Sequence, residues 1–160
     1  MKRIALLAFT TLVALPALGL AQEVAAYIEK ERGPHTIVSS EAVTYDPIDV
    51  PGFDAGMEIA VLHGDPMADA GDYTLRLKFP DGYRFPAHYH PLAEHVTVLS
   101  GTFLLAMGEL ENYEAVKSYA PGSFMYIPAE NPHFGGATGE TVIQLHGEAP
   151  FEIILVDPVT

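Results

Sequence analysis

Beyond residue 56 the chain breaks into short segments in which apolar and polar side chains alternate, separated by Gly and Pro. Residues 73–79 show this most clearly. Tyr73, Leu75, Leu77 and Phe79 fall on one face, and Thr74, Arg76 and Lys78 on the other, before Pro80-Asp81-Gly82 turns the chain. The same reasoning predicts strands over 57–63, 94–100, 102–107, 117–120, 124–127, 141–146 and 151–156. Gly101 interrupts a Val- and Thr-rich run, so a hairpin is expected across Leu99 to Thr102. Val96, Phe103, Met107, Phe124 and Tyr126 are assigned to the core, some of them walling a cavity. Arg76 and Lys78 are read as a solvated face. Strands at such regular spacing, without a sustained helical period, predict an all-β sandwich or barrel.

The segments before residue 57 read differently. Residues 1–21 begin Met-Lys-Arg, continue as an apolar run, and end with Pro16 and small residues at Gly19 and Ala21. This is the pattern of a cleaved secretory signal peptide, cut after Ala21. The expected location is therefore secreted or periplasmic, with no stable membrane insertion after cleavage. Residues 22–56 form an N-terminal extension: a short helix over 22–32, then a loop-rich stretch with Pro34, Pro47, Pro51 and Gly52. Residues 57–160 form the barrel domain.

Composition narrows the possible chemistry. The chain of 160 residues is 49% hydrophobic, enough apolar surface to offset the entropy of folding as one domain. A formal charge of −13 repels phosphate backbones, so nucleic acid is excluded as a main partner. With no Cys, disulfides, thiol catalysis and zinc fingers are excluded as well.

Seven His in so acidic a chain need explaining. On an extended backbone His88 and His90 face the same way, with α-carbons about 6.5–7 Å apart, a spacing from which both imidazoles reach one ion. Taken alone, such a pair equally describes two surface imidazoles on an edge strand. Glu94 follows past a bend at Pro91, with Val96 and Val98 on its face and His95 pointing to the other side. His63 and His146 read as hydrogen-bonded strand residues and His35 as a solvated loop residue. Gln144 shares a face with His146 and is a lesser candidate for lining a pocket.

The run Gly82, His88-Tyr89-His90, Glu94, Gly101 resembles the first motif of the cupin superfamily at every fixed position. Gly122, Pro128 and His133 resemble the second, with Glu130 where Gly is usual and Ala137 where Asn is usual. The resemblance implies a jelly-roll cupin barrel (a double-stranded β-helix) with one divalent metal ion held by His88, His90, Glu94 and His133. It implies Mn or Fe before Ni, Cu or Zn, with two further coordination positions for water, dioxygen or a bidentate small-molecule substrate. A homodimer is the expected assembly. Three buried imidazoles and a carboxylate without an ion would leave polar groups unpaired in an apolar barrel, which is costly.

Two functional classes remain open. One is a dioxygenase-like oxidoreductase, or a lyase or isomerase, acting on an enol, diketone, phenol or carboxylic acid, with Glu94 and Glu130 as candidate catalytic residues. The other is a periplasmic metal- or ligand-binding cupin without turnover. Glu130 also has the plainer reading of a surface acid in a loop.

Overall fold

A computed structural model of the chain describes residues 35–156. The expected signal peptide over 1–21 and the expected helix over 22–32 lie outside the described residues. Within them the elements are a 3-10 turn at Ser40–Ala42 and nine strands. The strands are β1 (Asp46–Pro47), β2 (Glu58–His63), β3 (Asp72–Phe79), β4 (Arg84–Tyr89), β5 (Glu94–Met107), β6 (Lys117–Tyr119), β7 (Phe124–Ile127), β8 (His133–Glu148) and β9 (Ile154–Leu155). All pairings are antiparallel, in the order β1-β2-β3-β8-β4-β9, while β5 pairs with β6, β7 and β8. The result is a curled all-β barrel.

The two long strands, β5 and β8, organise it. They pair from Glu94 opposite Gly147 to Met107 opposite His133, with register shifts around Ser100. No hairpin forms at Leu99 to Thr102. Gly101 instead takes a left-handed φ of 75°, and the strand runs on past the irregularity. A Cβ at this position would collide with the Thr141 hydroxyl and the Glu140 carbonyl. The buried Thr141 hydroxyl accepts the Thr102 N–H at 3.0 Å and donates to the Gly139 carbonyl at 3.0 Å, pinning the bulge.

Strand β8 begins eight residues before the predicted 141–146 segment and includes Gly135, Gly136 and Gly139, where no alternation marks a strand. The glycines are there for close approach. A Cβ on Gly135 would strike the Leu104 carbonyl of β5, and one on Gly136 the Tyr83 carbonyl. Strand β4, which was not among the predicted strands, pairs with the start of β8. The predicted strand over 151–156 shortens to Ile154–Leu155.

The core follows the alternation. Tyr73, Leu75, Leu77 and Phe79 of β3, Val96, Val98, Phe103 and Leu105 of β5, and Ile143 and Leu145 of β8 are buried together. The expected core positions Phe124, Tyr126 and Met107 are instead more than half exposed. In β7 it is Ile127 that is buried and Met125 that packs on the core, so the two aromatic residues occupy the opposite face of the pleat. Arg76, Gln144 and Thr97 share the outer face, where the Arg76 Nε donates to Gln144 Oε1 at 3.1 Å. Gln144 thus lies outside the cavity. Lys78 pairs with Glu58 and sits over the Tyr45 ring. From Thr36 onward the extension belongs to the same compact unit as the barrel, and Ile48, Val50 and Phe53 pack against the core.

Candidate metal centre

His88 lies near the end of β4, His90 just beyond it, Glu94 opens β5 and His133 opens β8. Pairing converges them: His88 is directly opposite His133, and Glu94 begins the β5 ladder with β7 and β8. A bulge in β4 makes this possible. Between Phe85 and His88 the register with β8 shifts by one residue, so both side chains face inward although they are three apart. Pro86 permits the bulge because it has no N–H to leave unpaired.

Four other backbone groups of the bulge find partners outside the ladder with β8. The Phe85 carbonyl accepts the Tyr113 hydroxyl at 3.0 Å, and the Ala87 N–H donates to Glu111 Oε1 at 3.0 Å. The Ala87 carbonyl accepts the Val156 N–H at 2.9 Å, and the Pro86 carbonyl accepts from His88 itself. Glu111 and Tyr113, in the loop between β5 and β6, were not legible as contributors to the site. No sequence pattern marks a loop carboxylate that caps a strand edge.

The Nδ1 atom of each imidazole is tied to a backbone carbonyl: His88 to Pro86 at 2.8 Å, His90 to Glu152 at 2.6 Å and His133 to Asn131 at 3.0 Å. A carbonyl oxygen only accepts, so each Nδ1 carries the proton and each Nε2 presents a free lone pair. The three residues are buried and their ligand atoms lie within 4.8 Å of one another. Glu94 joins them, with Oε1 at 3.4 Å from the His133 Nε2 and Oε2 at 3.7 Å from the His90 Nε2.

Burial dominates the electrostatics. It lowers the His90 imidazole to about 4, holds His88 well below the usual range, lowers His133 as well, and raises the Glu94 carboxyl to about 8. All three imidazoles are therefore neutral at physiological pH, which is the form that ligates a metal. The donor set fits a divalent ion, since three oriented nitrogen lone pairs and one carboxylate meet where no other hydrogen-bond partner serves them.

Two aromatic rings brace the ligands. Phe151 stacks on His90 at 4.8 Å, and Phe53 packs against His88 at 5.0 Å. Phe53 belongs to the N-terminal extension and Phe151 to the segment after β8, and neither was marked by a motif. The turn before β8 couples two ligands: the Glu130 N–H donates to the His90 carbonyl at 2.8 Å, and the next residue supplies the carbonyl that holds His133. Glu130 adopts a left-handed φ of 57°, which accounts for Gly being usual there. Its side chain is exposed and does not line the cavity, so the structure does not bring this candidate acid to the site. His95 lies on the outer face, as expected.

The four candidate ligands sit at the polar end of a cavity of about 620 Å³. Its walls are otherwise mostly apolar, drawn from the extension (Ile48, Val50, Phe53), the barrel interior and the segment around Phe151. Neither Lys nor Arg lines it. Val61 and Met67, both exposed, line its outer part.

Comparison with known proteins agrees with this architecture. Residues 34–152 match the family described as the ChrR cupin-like domain. A polyketide cyclase from Streptomyces resistomycificus superposes with a TM-score of 0.63 at 18% identity, over 79% of this chain and 88% of that one. An acetylacetone dioxygenase-like protein from Methylibium petroleiphilum gives 0.61 at 16% identity, over 80% and 85%. A cupin-2 domain protein from Rhodospirillum rubrum gives 0.60 at 16% identity, over 81% and 85%. At these identities the likeness is one of fold. No curated protein matches. With the barrel, the buried histidine triad and the family match in agreement, the chain is a cupin and belongs to the ChrR cupin-like domain family.

Proposed function

We propose that this chain is an exported cupin that holds one divalent metal ion on His88, His90, Glu94 and His133. We propose further that it acts as a mononuclear metal-dependent enzyme of the dioxygenase or lyase and isomerase type on a small oxygenated organic molecule. The observation that carries this reading is the convergence of three neutral, carbonyl-oriented imidazoles and one buried carboxylate at the polar end of an apolar cavity. Nitrogen and oxygen donors without sulfur suit Mn or Fe first, with Ni, Cu or Zn as alternatives. When bound, such an ion supplies Lewis-acid chemistry or, if redox-active, chemistry with dioxygen.

The protein's own groups do the rest. The apolar walls exclude water and hold the body of the substrate, leaving its oxygens to face the polar end. With no Lys or Arg in the lining, a neutral enol, diketone or phenol is favoured over a molecule with a second, unpaired anionic group. Glu94 faces the cavity beside the imidazoles, so it is the group of this chain placed to accept a proton there. Exposed Glu130 is given no proton-transfer role.

The test is elemental analysis of protein purified from its native compartment, followed by oxygen uptake and product analysis with diketones, phenols and carboxylates. About one equivalent of Mn or Fe and consumption of a neutral substrate are expected. A metal-free protein with an intact fold overturns the metal reading. Metal with reversible binding and no turnover makes the protein a metal- or ligand-binding cupin instead. Export rests on the pattern of residues 1–21, and N-terminal sequencing of the mature protein should begin at Gln22. A homodimer is the proposed assembly, checked by light scattering.

A further inference from the structure

Three imidazoles lie inside the barrel, and a second set lies on the outer face of the same sheet. Alternation along β5 sends Glu94 inward and His95 outward. On β8 it sends Leu145 inward and His146 outward. The register places His95 directly opposite His146, and the His146 Nε2 lies 3.1 Å from the His95 Nδ1. Both rings are half-buried. Phe124 and Tyr126 of β7 hold the His95 ring edge-on, at 5.9 and 5.1 Å between centroids. His95, His146, Phe124 and Tyr126 all lie outside the cavity lining.

We propose that His95 and His146 form a second, surface-facing metal site: a two-imidazole chelate for a borderline divalent ion, Cu²⁺ foremost and then Ni²⁺ or Zn²⁺. The spacing suits one ion. Two nitrogens 3.1 Å apart, each bonded at about 2.0–2.1 Å, subtend roughly 100° at the metal, between square-planar and tetrahedral angles. Chelation replaces a single hydrogen bond between the two rings. The flanking aromatic residues restrict the His95 ring, so little rotamer freedom is left to lose on binding.

Selectivity follows from the donors. Among the described residues no third His, Asp or Glu joins the pair within ligating distance. Mg²⁺, Ca²⁺ and Mn²⁺, which prefer oxygen, therefore gain nothing there, whereas nitrogen affinity rises to Cu²⁺ along the divalent series. The remaining positions on the ion face solvent and are free for water or an external ligand. The site is independent of the buried centre, because the two lie on opposite faces of one sheet and share no side chain.

The experiment uses the mature protein as purified, retaining its resident metal. It is titrated with Cu²⁺, and bound copper is counted after gel filtration, with electron paramagnetic resonance reporting the nitrogens around it. The expected result is one added equivalent with a two-nitrogen signature. His95→Ala, His146→Ala and the double variant should each lose that same equivalent, weakening binding by tenfold or more. All should retain the resident metal and the wild-type circular dichroism. Mg²⁺ should not compete. The proposal is overturned if either single variant binds copper like the wild type, or if the losses from the two single variants add in the double variant, which indicates two separate one-imidazole sites. His95→Gln and His146→Gln repeat the test with side chains that keep the polarity of this face, and an unchanged equivalent in either has the same meaning.

Discussion

His88 presents its Nε2 to the cavity because its Nδ1 proton is held by the carbonyl two residues earlier, at 2.8 Å. Replacing His88 by Ala removes a donor and leaves the facing His133 without its closest neighbour. Metal retention, read by elemental analysis, should be abolished, and undiminished metal content would remove His88 from the site. Glu130 illustrates the opposite case, a residue whose backbone matters more than its side chain. A left-handed conformation costs a residue with a Cβ about 1–2 kcal/mol. Glu130→Gly should therefore raise stability by about 1 kcal/mol in chemical denaturation and leave metal content unchanged. A loss of metal on this substitution would restore a role for the carboxylate. The motif made both positions conspicuous, but only the φ angle and the exposed side chain separate a ligand from a turn residue.

At the scale of elements, the site depends on two devices that bring backbones together. The first is the glycine run of β8. Gly135→Ala drives a methyl group into the Leu104 carbonyl of the neighbouring strand, where backbone rather than a flexible side chain must yield. A loss of more than about 3 kcal/mol, seen as failure to accumulate soluble protein or a collapsed denaturation midpoint, is expected. The second is the bulge of β4. Glu111 accepts the Ala87 N–H immediately before His88, so Glu111→Ala should weaken metal affinity by roughly tenfold. Glu111→Gln keeps an oxygen acceptor and should restore most of it. Affinity measured by competition with a chelator distinguishes the two, and equal affinity in the wild type and the Ala variant would show that the bulge holds without this contact. Neither device was readable as such from the chain, because close backbone approach and a register shift leave no alternation to recognise.

For the whole molecule, the cavity's walls set what enters. They carry acidic groups at Asp65, Glu94 and Glu152 and no cationic side chain, in a chain of net charge −13. A ligand with its oxygens at one end and an apolar body should bind. The same ligand bearing a carboxylate at its far end should bind roughly tenfold more weakly, or worse, because that charge finds no partner. Isothermal titration of the metal-loaded protein with such a matched pair of diketones checks this. Equal affinities would mean the far end of the ligand stays in solvent. The extension contributes to this selectivity, since Ile48, Val50 and Phe53 close one side of the cavity.

Alternation and spacing were enough to predict an all-β barrel and the inward face of β3, and the resemblance to the cupin motifs named the four candidate ligands, three of which, His88, His90 and His133, gather within 4.8 Å. A period of two sorts faces locally, His-x-His with a following Glu is a short-range arrangement, and distant His133 was found only through the second motif. The chain alone put the wrong face of β7 in the core, and misread Gly101 as a chain reversal. Both are questions of register, and a one-residue offset reverses every side chain. Tertiary structure alone settled the partners of the three Nδ1 atoms, the closing of the cavity by Phe53 and Phe151, and the outer pairing of His95 with His146. The carbonyls that hold His88 and His133 are local, but which way each ring turns is set by the fold, and the remaining contacts join residues far apart in sequence, so they depend on position in space rather than on residue type.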